Sequence, residues 1–106
     1  MSYIPDAWVI VEVNSKQGRH RKVLGSWYGG YLGSDSYRFS SGITKITDRG
    51  EYYEIKNASG SLYKCYKNAE GMSAFTSGIY EKYKKDLKEQ GLGTIKIIKE
   101  KANGKN

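Results

Sequence analysis

Ala7-Trp8-Val9-Ile10-Val11-Glu12-Val13 is the stretch on which the reading of the fold turns. In an extended chain Val9, Val11 and Val13 share one face and Trp8, Ile10 and Glu12 the other, and this period-two pattern of β-branched and aromatic residues identifies a strand. Asn14-Ser15-Lys16-Gln17-Gly18-Arg19 then reads as a turn. His20 to Tyr28 forms a second strand, with Val23 and Trp27 on one face and Leu24 and Tyr28 on the other. The two segments predict an antiparallel hairpin.

Working outward, Ser36–Phe39 and Gly42–Thr47 are strand-like, Asp48-Arg49-Gly50 is a turn, and Glu51–Lys56 places Tyr53 and Ile55 on an inner face. Asn57-Ala58-Ser59-Gly60-Ser61 turns the chain into Leu62–Lys67, whose better interior face carries Tyr63 and Cys65. The single helical signal follows. Ile79, Tyr83 and Leu87 recur at four-residue spacing with charged residues between them, which predicts one amphipathic helix over about 77–90, capped by Ser77 or begun near Ser73 and ended by Gly91. Leu92–Glu100 closes the chain as a strand. Short strands with frequent turns and one late helix predict a mostly β, α+β fold: a small antiparallel curled sheet or SH3/OB-like barrel of five to six strands, with the helix covering one face.

The chain has 106 residues, enough for one core, so a single domain over 1–98 is expected, with 99–106 a tail that has nothing to bury. Apolar residues are only 38%, but ten Tyr, two Trp and two Phe supply large contact areas. The lone cysteine, Cys65, cannot form an internal disulfide and suits a reducing compartment such as cytoplasm. No apolar run approaches the length of a membrane span, and the N-terminus lacks the pattern of a secretory signal.

Net charge is +7. The excess is uneven: residues 1–53 hold 7 basic and 5 acidic groups, residues 54–106 hold 11 and 6, and all four arginines lie in the first half. A basic balance favours anionic partners, while solubility alone is the plainer account of the lysines.

Chemistry is sparse. His20 sits between Arg19 and Arg21 with no second metal-ligating residue nearby, so neither a zinc site nor a cofactor is expected. Cys65 on a strand reads as a small buried hydrophobe rather than a nucleophile, and the acidic pairs at turns read as solvated charge, so the chain is expected not to be an enzyme. The glycines of Gly25–Gly33 approximate a phosphate loop in composition but lack its Lys-Ser/Thr and following helix.

What remains is recognition. Gly25–Phe39 concentrates glycine, aromatic and hydroxyl residues, and Trp27, Tyr28, Tyr31, Ser36, Tyr37 and Arg38 are the candidate ligand-binding residues, aromatics for stacking and Arg38 for phosphate. Because Trp27 and Tyr28 face opposite ways, Tyr28 is the better stacking residue and Trp27 the better core residue. Ser40 and Ser41 add hydroxyls suited to ribose. Ser59-Gly60-Ser61, with Lys64 and Lys67, is expected to form the opposite wall.

Gly29–Ile43 (Gly-Gly-Tyr-Leu-Gly-Ser-Asp-Ser-Tyr-Arg-Phe-Ser-Ser-Gly-Ile) and Ser59–Lys67 (Ser-Gly-Ser-Leu-Tyr-Lys-Cys-Tyr-Lys) resemble segments of small accessory proteins of tailed bacteriophages. The resemblance carries no site residue and implies a context only, a protein made in host cytoplasm that binds and neutralises a host component, including nucleotide immune signals. The expected function is therefore a module binding an anionic nucleotide or short nucleic acid, a phage sponge in that context. The alternatives are a protein-interaction module that inhibits a host enzyme and, third, a small nuclease or hydrolase. A homo-oligomer is compatible with all three.

Overall fold

The computed structural model describes residues 1–99, apart from the side chain of Tyr31. The strands, in chain order, are β1 (Ser2–Tyr3), β2 (Ala7–Ser15), β3 (Gly18–Trp27), β4 (Ser36–Phe39), β5 (Ile43–Asp48), β6 (Tyr52–Asn57), β7 (Leu62–Tyr66) and β8 (Gly93–Ile98), with one helix, α1 (Ala74–Glu89), before the last strand. The fold is mostly β with a single helix, as expected, and the curl is realised as two four-stranded sheets, ordered β1-β7-β6-β5 and β4-β3-β2-β8. The expected 99–106 tail lies, beyond Lys99, outside the described residues.

Strand β2 organises the molecule. It pairs with β3 from Ala7↔Ser26 to Ser15↔Gly18, the expected hairpin, and with β8 from Ile10↔Ile98 to Ser15↔Gly93. Its alternation is apolar on both faces, and both faces are buried. Trp8 and Ile10, with Val23 of β3, meet Tyr53, Ile55, Tyr63 and Cys65 of the other sheet in one core. Val9 and Val11, with Leu24 and Ile95, meet Tyr80 of the helix in a second. The order of layers is therefore sheet, sheet, helix. Trp8 is fully enclosed, and its indole N–H donates to the Tyr66 carbonyl at 2.7 Å, which satisfies the one polar group it takes inside.

The helix meets the sheet along a stripe that keeps Tyr83 and Leu87 of the expected one but not Ile79. Thr76 and Tyr80 are its buried residues, with Tyr83 and Leu87 packed at the margin of the second core, whereas Ile79 is outside that cluster. A strict four-residue spacing drifts around a helix of 3.6 residues per turn, so the inward line runs 76, 80, 83, 87 rather than 79, 83, 87. Ser73 is the N-cap, its hydroxyl accepting from the Thr76 amide, so the helix starts at the earlier of the two expected positions.

Of the eight strands among the described residues, only β1 has no counterpart among the stretches read as strands from the sequence. Ser2–Tyr3 pairs parallel to Leu62–Tyr63. Two residues are too few to show alternation, so this strand is set by its partner and not by its own pattern.

Candidate ligand pocket

The turn Asn57–Ser61 is built as the sequence requires. Gly60 adopts φ of 90°, which favours glycine, and its amide donates to the Asn57 carbonyl at 2.9 Å, closing the turn between β6 and β7. This turn is stapled to the Ser40–Gly42 link between the two sheets: the Ala58 amide donates to the Gly42 carbonyl at 2.8 Å, and the Ser59 amide donates to Ser41 Oγ at 3.0 Å. Ser41 Oγ in turn donates to Ser59 Oγ at 3.0 Å, and Ser59 and Ser61 hydroxyls lie 3.1 Å apart. A connected row of hydroxyls results.

Where this staple meets the N-terminal strand, a cavity of about 390 Å³ opens, lined by Arg38, Ser40, Ser41, Ser59, Gly60 and Ser61 with Met1, Tyr3, Phe39 and Tyr63. Arg38 is exposed, and among the described residues no carboxylate lies within ion-pair distance of it. Its guanidinium carbon sits 4.9 Å from the centroid of the Tyr3 ring, and Tyr3 lies against Tyr63 with centroids 4.9 Å apart. Tyr63 is fully buried, and the polar neighbour of its hydroxyl is the Arg38 guanidinium, although the two do not meet in a well-formed hydrogen bond. Burial raises the phenol's pKa above its ordinary value, with the nearby Arg38 charge pulling the other way, so the group is a neutral hydroxyl at neutral pH.

The structure thus brings together Arg38 and Ser61, and with them Ser40, Ser41, Ser59 and Gly60, the two walls expected from sequence. The other candidates stand elsewhere. Trp27 packs at the edge of the inter-sheet core, donating from its indole to the Ile4 carbonyl at 3.0 Å, and touches the pocket only through Tyr3, 6.2 Å away edge-on. Tyr28 is exposed at the end of β3, its amide held by Asp6 Oδ2 at 2.8 Å. Ser36 is exposed at the start of β4, and Tyr37 projects from the opposite face to Arg38, toward Phe39 and Phe75. The side chain of Tyr31 is outside the described residues.

Lys64 is not part of the wall. Strand alternation sends Tyr63 inward and Lys64 outward, where its ammonium lies 4.5 Å from the Tyr52 ring centroid, and Lys67 pairs with Asp48 at 2.8 Å. Sequence reasoning missed Met1, Tyr3 and Tyr63 as lining residues. Tyr63 reads as core by alternation, which it is, but a buried tyrosine carries a hydroxyl that must go somewhere, and that is the signal that could have found it.

Cys65 lies in the inter-sheet core, where burial pushes its thiol up to about 12, so it stays protonated and unreactive. His20 is exposed on the β2–β3 hairpin. Among the described residues no group of three metal-ligating side chains converges, and no helix is long and apolar enough to cross a membrane. No family model, curated protein or solved structure matches the chain, so the pocket is read from its own geometry.

Proposed function

We propose that the protein is a non-enzymatic module that binds a phosphate-bearing ligand, a nucleotide or the end of a short nucleic acid, in the cavity between Arg38 and the serine turn. The single observation that carries this reading is the convergence of an exposed arginine, with no carboxylate partner among the described residues, and a connected row of serine hydroxyls on one cavity. Arg38 supplies a planar, permanently charged fork suited to two phosphate oxygens, and Ser41, Ser59 and Ser61 offer rotatable hydroxyls to the remaining oxygens or to ribose. The cavity's size falls in the range of small-molecule sites. In the phage context that the sequence resembles, such a module sequesters a signalling nucleotide.

Calorimetric titration of inorganic phosphate, ribose 5-phosphate, AMP, cyclic dinucleotides and short single-stranded DNA tests the proposal. At least one phosphate-bearing ligand is expected to bind below the millimolar range, with Arg38→Ala lowering affinity about tenfold or more and flattening its salt dependence while the melting temperature holds. Absence of any such binding, or wild-type affinity in Arg38→Ala, overturns it.

A protein partner is the second reading, favoured by the adjoining exposed rings of Tyr37 on β4, an edge strand of its sheet, and Phe75 in the first turn of α1. Loss of partner capture on Tyr37→Ser, with phosphate ligands silent, would select it.

A further inference from the structure

We propose a second ligand site, for a small organic anion with a flat apolar body, in the wedge between the C-terminal end of α1 and the β2–β3 hairpin. It is independent of the Arg38 pocket. The face of β3 that carries Leu24 under the helix continues as the half-buried Lys22 and the exposed His20, and the hairpin tip at Ser15–Gln17 meets the end of the helix at Gln90–Leu92. A cavity of about 540 Å³ remains there.

Its apolar surfaces are Val13 from the sheet and Tyr83 and Leu87 from the helix, closed at the end by Leu92, which is 54% exposed. Its charged groups are Lys16 and Lys22, with the His20 imidazole beside them, and no aspartate or glutamate lines it. The acids of the neighbouring helical turns are engaged elsewhere, Asp86 with Lys82 at 3.0 Å and Glu89 with Lys85 at 3.9 Å. Lys16 and Lys22 have no carboxylate within ion-pair distance among the described residues. The helix end does not oppose an anion with bare carbonyls either: those of Asp86, Leu87 and Lys88 accept from the amides of Gln90, Leu92 and Gly91 at 3.0, 2.9 and 3.1 Å.

An apolar floor with an unbalanced cationic rim selects a ligand of the same two parts, and an aromatic carboxylate is the simplest. This separates the site from the Arg38 pocket, whose lining is mainly hydroxyl and suits phosphate and sugar.

Titration of the full chain with 1-naphthoate and, separately, with neutral 1-naphthalenemethanol, followed by amide chemical shifts, tests the assignment. Saturating shifts are expected at Val13, Lys22, Leu87 and Gly91, with a naphthoate Kd below about 1 mM and the neutral compound weaker by about fivefold. The double variant Lys16→Gln/Lys22→Gln, whose fold is checked by its own amide spectrum, should bind naphthoate no better than the alcohol. Failure to saturate, equal affinity for the two compounds, shifts confined to the Arg38 pocket, or unchanged naphthoate binding in the double variant overturns it.

Discussion

Glu12 and Tyr63 are two of the polar residues that β-strand alternation carries inside, and they are handled differently. Glu12 is 3% exposed, yet its carboxylate accepts from Arg21 Nε at 3.2 Å, with Lys96 at 3.6 Å and Arg19 at 3.9 Å. Burial works to raise its pKa, but the Arg21 hydrogen bond and the three positive charges outweigh it and hold the carboxyl below its ordinary value. A depressed folded-state pKa means that the ionised group stabilises the fold above the usual carboxylate range and that this contribution disappears as pH falls through the lowered value. Glu12→Gln is therefore expected to lower the urea midpoint at pH 7 and to make little difference at pH 3; an equal loss at both would show that shape and not charge matters. Tyr63, by contrast, has a buried neutral hydroxyl whose one polar neighbour is the exposed Arg38 guanidinium, without a well-formed hydrogen bond. Tyr63→Phe removes this poorly satisfied hydroxyl and keeps the ring, so stability should hold or rise by up to about 1 kcal/mol. A loss of stability measured by urea unfolding would mean that the hydroxyl is satisfied in solution.

The elements obey their local chemistry where that chemistry is strong. The helix has an N-cap at Ser73, Gly91 just beyond its end with φ of 66°, and ion pairs at i,i+4 along its outer side. Its inward line through Tyr80 and Leu87 leads to a graded expectation. Leu87→Ala should cost about 2 kcal/mol, Ser73→Ala about 1 kcal/mol through the lost cap, and Ile79→Ala no more than about 0.5 kcal/mol, as for a residue outside the core. Thermal melts of the three variants check the order, and an Ile79 variant less stable than the Leu87 variant would place the helix in the other rotation. Gly93 is set by its neighbour rather than by a turn alone: at φ of 152° its Cα faces the Asn14 carbonyl oxygen so closely that a Cβ would collide with it. The close β2–β8 pairing at that point depends on glycine.

At the scale of the whole molecule, β2 belongs to both cores, so neither layer can leave without exposing the strand that anchors the other. Opening the inter-sheet core uncovers Trp8 and Ile10, and lifting the helix uncovers Val9 and Val11, all nearly or fully buried. Unfolding is expected to be one cooperative transition. Helix content followed at 222 nm and tryptophan fluorescence should give coincident urea midpoints; separated midpoints would mean that the helical layer comes away as its own unit.

Much of this was legible in the sequence because alternation and capping are local. The strand at residues 7–13, the hairpin to β3, the inward faces of Tyr53, Ile55, Tyr63 and Cys65, and the lone helix all follow from patterns that a few neighbouring side chains settle among themselves. The opposition of Arg38 and the serine turn was also anticipated from residue types. What only the tertiary structure decided are relations between distant segments: that Ser2–Tyr3 joins β7 and brings Tyr3 under Arg38, that Lys64 faces away from the pocket its neighbour Tyr63 closes, and that the end of the helix meets the tip of the hairpin around a cavity. Each of these depends on which strand pairs with which and in what register, and register is set by burial summed over the whole core, a quantity that no single segment carries.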